Sequence, residues 1–113
     1  MRAPQRRTPV SERTVVDDPA AGRFEIRVDG AVAGYTEYRA EGSALAITHT
    51  VVESAYEGQG IGSALAKGAL DALRERGTQV LPYCPFIRGW IAKHPDYLDL
   101  VPEGERARFD LPG

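Results

Sequence analysis

The residues of this sequence able to do chemistry are a glycine-dense turn, one cysteine and two histidines. The turn is Gly58-Gln59-Gly60-Ile61-Gly62, set between an alternating apolar stretch and an amphipathic one. A strand, a glycine turn and a helix in succession make an anion site. The first amides of a helix lack internal partners, and the helix dipole places partial positive charge there. Glycine lets the backbone curl and approach a ligand without a Cβ in the way, so successive N–H groups can cradle a pyrophosphate. Two common nucleotide fingerprints fail on spacing. G-x-G-x-x-G needs its third glycine where Ser63 stands, and G-x-x-x-x-G-K-[ST] is not met because Lys67 precedes Gly68 instead of following a glycine.

The thiol and the imidazoles are each open to two readings. Cys84 can be a nucleophile if a helix N-terminus or an imidazole favours its thiolate, or a small apolar residue of the core. His49, with an ordinary imidazole value near 6.5, suits a general base or a satisfied core position. His94, just before Pro95, reads as a cap on a helix C-terminus. One cysteine and two distant histidines give no zinc spacing, so no metal is expected.

The elements that must position these groups follow from periodicity. Residues 23–29 alternate, with Phe24, Ile26 and Val28 on one face and charges on the other, and Asp29-Gly30 supplies a hairpin turn. Residues 31–39 form the partner strand, and residues 44–52 a third, with Leu45, Ile47, His49 and Val51 expected on one face. A further strand is expected near residues 14–16. From Gly60 the period changes: Ile61, Leu65, Ala69, Ala72 and Leu73 recur at helical spacing until Gly77 ends the run. Residues 78–81 make a short buried strand, and a second helix runs from about Cys84-Pro85 to His94. The expected fold is α/β: a single mixed, mostly antiparallel sheet with a crossover helix and a second, C-terminal helix.

Composition sets the frame. One hundred and thirteen residues make one domain. A net charge of −2 argues against a nucleic-acid or anionic-membrane partner. Residues 1–13 read as a flexible basic arm, residues 14–102 as the domain, and residues 103–113 as a polar, loosely attached tail. The lone cysteine fits a reducing cytoplasmic location, and no apolar run approaches the roughly 18 residues of a membrane span.

The segment Val52-Glu53-Ser54-Ala55-Tyr56-Glu57-Gly58-Gln59-Gly60-Ile61-Gly62-Ser63-Ala64-Leu65 resembles the acetyl-CoA motif [QR]-x-x-G-x-[GA] of the GCN5-related N-acetyltransferases, with Glu57 in place of Arg or Gln. His49-Thr50-Val51-Val52, Pro82-Tyr83-Cys84-Pro85-Phe86-Ile87 and His94-Pro95-Asp96-Tyr97 resemble the short "CG" subgroup, whose members place a cysteine near the CoA thiol. The resemblance covers residues 14–102. It implies a minimal form of that fold and an acetyl-CoA co-substrate held by Val51, Val52, Glu57, Gly58, Gln59, Gly60, Ile61, Gly62 and Ser63. A backbone N–H at Val51 or Val52 would meet the thioester carbonyl, and the Glu57 carboxylate should point to solvent. His49 becomes the base for an ammonium nucleophile, and Cys84 an acid toward CoA, an acetyl carrier or a packing residue. Trp90 stands where many relatives have a tyrosine acid; Tyr83 and Tyr97 are the remaining phenols. The implied activity is acetyl transfer to a primary amine, a protein or peptide lysine among the candidates. The alternative is a CoA- or acyl-CoA-binding module without catalysis.

Overall fold

The computed structural model describes residues 12–113; the basic arm read from the sequence lies, through residue 11, outside the described residues. One sheet carries the strands in the order β1 (Arg13–Asp18), β2 (Arg23–Val28), β3 (Ala31–Glu41), β4 (Ala44–Val52) and β5 (Val80–Pro82). The first four run antiparallel, and β5 lies parallel to β4. Helix α1 (Ile61–Glu75) makes the crossover from β4 to β5, and α2 (Pro85–Lys93) follows β5. This is the mixed sheet with a crossover helix that the periodicity requires.

The local reasons are visible in the chain. Asp29 and Gly30 both adopt positive φ (51° and 87°), the twist that a tight hairpin between β2 and β3 needs. Leu65, Ala66, Ala69, Leu70 and Leu73 of α1 are buried together with Phe24, Ile26 and Val28 of β2. Gly68 lets α1 lie close to β1, since a Cβ there would come within 2.5 Å of Val15 Cγ2. Beyond the end of α1, Gly77 takes the left-handed conformation at φ 68°.

Two single-residue bulges interrupt the pairing. Ala33 is extra on β3, because Ile26 faces Gly34 and Arg27 faces Val32. Thr48 is extra on β4, because Tyr38 faces Ile47 while Glu37 faces His49. A bulge re-aims every side chain beyond it. His49 therefore leaves the face it was expected to share with Ile47, and Thr50 takes its place toward α1.

The sheet's two faces are finished differently. On the α1 side, Tyr38 packs on Phe24 with ring centroids 5.4 Å apart and donates its hydroxyl to Asp17. Burial, and then that carboxylate, push the Tyr38 phenol up to about 12. On the other side Glu25 is 3% exposed, covered by the guanidiniums of its own strand neighbours. Bonds from Arg27 (2.8 Å) and Arg23 (2.9 Å) hold its carboxyl below the usual carboxylate range.

The last eleven residues are a correction to the sequence reading. Residues 103–113 return to the core: Phe109 and Leu111 are 3% and 5% exposed, and Phe109 stands edge-on to Tyr83 at 5.2 Å. Arg108 donates to the Tyr83 hydroxyl, which itself donates to Glu41. Two apolar side chains suffice to anchor a segment that is polar on average. Phe109→Ala is expected to lower the unfolding free energy by about 3 kcal/mol in urea titrations, the usual cost of deleting a buried ring. A loss below about 0.5 kcal/mol, the level of a surface change, would show that the tail is not part of the core.

Candidate active site

The glycine turn enters α1 without any side-chain cap. Gly58 and Gly60 hold positive φ (80° and 73°), and Gly60 is the N-cap residue. No acidic side chain lies in the first turn. The first helical bond runs from Ala64 N–H to Gly60 O at 3.1 Å, so the amides of residues 61–63 have no acceptor within the helix. Gly62 has a further reason to be glycine. Its backbone is ordinary, but a Cβ would lie 2.8 Å from Phe86 Cζ, so the ring of α2 rests on the first turn of α1.

Between these elements runs a groove of about 480 Å³. One wall holds Val52, Glu57, Gly58 and Gly60, continuing into Ile61, Gly62 and Ser63. Phe86, Trp90, Lys93 and His94 make the opposite wall. Val51 and Gln59, which the motif placed with the cofactor, do not line it. The Gln59 carbonyl instead accepts from Arg13 of β1 at 2.8 Å, tying the turn to the sheet edge. Glu57 is exposed and lies at the rim of the groove.

The backbone donors separate along β4. Glu53 N–H donates to Ala33 O, and the pairing is regular from there through Thr50. Alternation then turns the Val51 N–H toward β3 and the Val52 N–H toward the opposite edge. That edge is open, because β5 pairs only from Leu45 to Ile47. The last link between the two strands' paths is Cys84 N–H to Ile47 O at 2.9 Å. Beyond it β4 is unpaired on that side, and Val52 alone of the two valines offers its amide to the groove.

Cys84 is buried at this fork and is the N-cap residue of α2. Its Sγ lies 3.2 Å from Thr50 Oγ1, and Thr50 Oγ1 lies 2.9 Å from the buried Thr36 hydroxyl. His49 is exposed and sits on the opposite face of β4, across from Glu37. The structure therefore does not bring His49 and Cys84 together; the Thr48 bulge separates them, and Thr50 stands beside the thiol instead. Both phenols are engaged elsewhere. Tyr83 bonds Glu41, and Tyr97 donates to Asp71 at 2.8 Å, a bond that with burial raises its phenol above the ordinary value. No cluster of metal-ligating side chains occurs among the described residues, and no helix among them is long and apolar enough to cross a membrane.

Several groove residues carried little or no signal in the sequence. His94 bonds the Trp90 carbonyl through Nδ1 at 2.7 Å, as a helix cap would, and it also lines the groove. Lys93 and Tyr56 join it there. Gly34 carries no signal in the sequence: a Cβ on it would lie 2.7 Å from Val51 O and 3.4 Å from Val52 Cα. Only its placement opposite Val52 explains why glycine stands there.

A model of the GCN5-related N-acetyl-transferase family, in its CG form, matches residues 23–100. A solution NMR structure of a GCN5-like protein from Staphylococcus aureus has the same fold. It is 23% identical, with a TM-score of 0.60 over 79% of this chain and 87% of that one. No curated protein matches the sequence.

Because the clash at Gly34 is with backbone, it cannot be relieved by a side-chain rotation. Gly34→Ala is expected to cost about 1–3 kcal/mol of stability, as overpacking does. It should also displace the amide resonances of residues 50–53, where β3 and β4 touch. Wild-type stability with unmoved resonances would contradict the close approach.

Proposed function

This chain belongs to the GCN5-related N-acetyltransferase family, and on that premise we propose that it moves the acetyl group of acetyl-CoA to a primary amine. The observation that carries the reading is the groove itself: uncapped helix amides at residues 61–63 open into the same space as the Val52 edge. The pyrophosphate takes the amides at the start of α1, and pantetheine runs along the groove toward the fork between β4 and β5. Val52 N–H then donates to the thioester oxygen, and it strengthens as charge develops there.

The two titratable candidates serve opposite ends of the transfer. His49 faces the outer side of β4, where the acceptor has open access, and takes the proton of the ammonium. The neutral amine attacks the carbonyl carbon and the C–N bond forms; the nitrogen gives its second proton to solvent, and collapse of the tetrahedral intermediate breaks the C–S bond. Cys84, at the vertex of the fork, supplies its S–H proton to the departing CoA thiolate. Both groups recover their starting states by exchange with solvent. A direct His49–Cys84 couple, the arrangement that would favour an acetyl-cysteine carrier, is disfavoured by their placement on opposite faces. The open outer face suits a lysine on a peptide or protein better than an enclosed small amine. A reducing cytoplasmic setting would keep the single thiol available.

A second reading, an acyl-CoA-binding module without transfer, is favoured by one observation. Cys84 is 4% exposed, already bonded to Thr50, and does not line the groove.

Labelled acetyl-CoA with a panel of lysine peptides and small amines separates the two. The acetyltransferase reading expects label on at least one amine. His49→Gln should then lower kcat about a hundredfold, within the usual range for a general base, with acetyl-CoA affinity unchanged. Binding of acetyl-CoA without label on any amine would overturn transfer in favour of the module.

A further inference from the structure

A diphosphate needs compensating charge, and the turn itself supplies a carboxylate at Glu57 where a cation or amide would help. The opposite wall of the groove carries what the turn lacks. Trp90, 7% exposed, is the anchor. Its Nε1–H donates to Ser63 Oγ at 2.9 Å, joining α2 to the first turn of α1. The His94 ring stacks on the indole at 3.8 Å and 15°, and Tyr97 meets it edge-on at 4.9 Å.

These contacts decide which donors face a ligand. A carbonyl can only accept, so the bond from His94 Nδ1 to Trp90 O places a proton on Nδ1 and leaves Nε2 free. In its imidazolium form the same ring presents Nε2–H, a charged donor that suits a phosphate. Ser63 Oγ accepts from Trp90, which leaves its own hydroxyl proton to donate elsewhere. Lys93 lies in the last turn of α2, where the helix dipole favours a cation. It takes part in no ion pair among the described residues, unlike Lys67, Arg74, Arg76 and Arg108. Ser63, Lys93 and His94 all line the groove.

We infer that Lys93 and His94, assembled on Trp90 and joined through it to Ser63 of the first helical turn, form a phosphate-binding wall that holds the phosphates of CoA from the side opposite the glycine turn. The inference rests on the acetyl-CoA reading and adds Lys93 and His94, which lie outside the motif that suggested it. In this chain the cationic contribution comes from the end of α2, and the residue at position 57 has no part in it.

Isothermal titration of acetyl-CoA, dephospho-CoA and acetylpantetheine against wild type and variants tests this. Lys93→Met keeps the aliphatic stem, and His94→Phe keeps a ring on Trp90 while removing both nitrogens. Each is expected to weaken acetyl-CoA about tenfold and to flatten its salt dependence, with acetylpantetheine affinity unchanged and, for Lys93→Met, Tm unchanged. A variant that loses dephospho-CoA equally acts at the pyrophosphate; one that loses only CoA acts at the 3′-phosphate. Wild-type affinity for acetyl-CoA in the Lys93→Met, His94→Phe double variant would overturn the inference, as would an equal loss for acetylpantetheine. Lys93→Met leaves the Trp90 contacts intact, so it gives an answer even if His94→Phe disturbs folding. If wild type itself binds no acetyl-CoA, it is the acetyl-CoA reading that fails.

Discussion

The short pairing between β4 and β5 is the constraint on which the rest of the site depends. Three residue pairs, flanked by bonds from Leu45 N–H to Gln79 O and from Cys84 N–H to Ile47 O, hold the strands together, and past the second of these β4 has a free edge. An unpaired edge ordinarily invites aggregation or another strand. Here the crossover through α1 and the return through α2 flank it, so the free amides open into a groove. The same bond places Cys84 at the vertex and starts α2 there, with Pro85 in its first turn. The wall formed by Phe86 and Trp90 is thus set by the point where pairing stops.

The Thr48 bulge is the second half of that constraint. It lies one residue beyond the last β4–β5 pair and rotates the remainder of β4. Without it His49 would point at α1 and Thr50 at solvent. With it, an imidazole faces the open side and a hydroxyl pair, Thr50 and Thr36, meets the thiol. A strand with one regular face could not serve a donor on one side and an acceptor on the other with these residues.

Much of this was legible in the sequence, because the signals were local. Alternation marked β2 through β4, helical spacing marked α1, and Gly77, Pro85 and Pro95 marked the helix ends. The groove's glycine wall followed from the same reasoning, since uncapped helix amides are a property of sequence and backbone alone. The failures were non-local. A one-residue bulge leaves no compositional trace yet exchanges the faces of a strand, so alternation alone groups His49 with Ile47. Phe109 and Leu111 are too few and too widely spaced to show a period. Gly34 and Gly62 are glycines because of Val51 and Phe86, partners distant in sequence. His94 reads as a cap because it is one, and only the packing of α2 on α1 adds its second position, in the groove.

The central claim is that the start of α1 and the Val52 edge of β4 form one continuous acetyl-CoA site. A ¹H–¹⁵N titration of the full chain with acetyl-CoA measures it amide by amide. The account predicts the largest shifts at Gly60, Ile61, Gly62, Ser63 and Val52, with Val51 nearly still because its N–H is spent in the sheet. Shifts confined to the outer face around His49, or no saturable shifts at all, would contradict it.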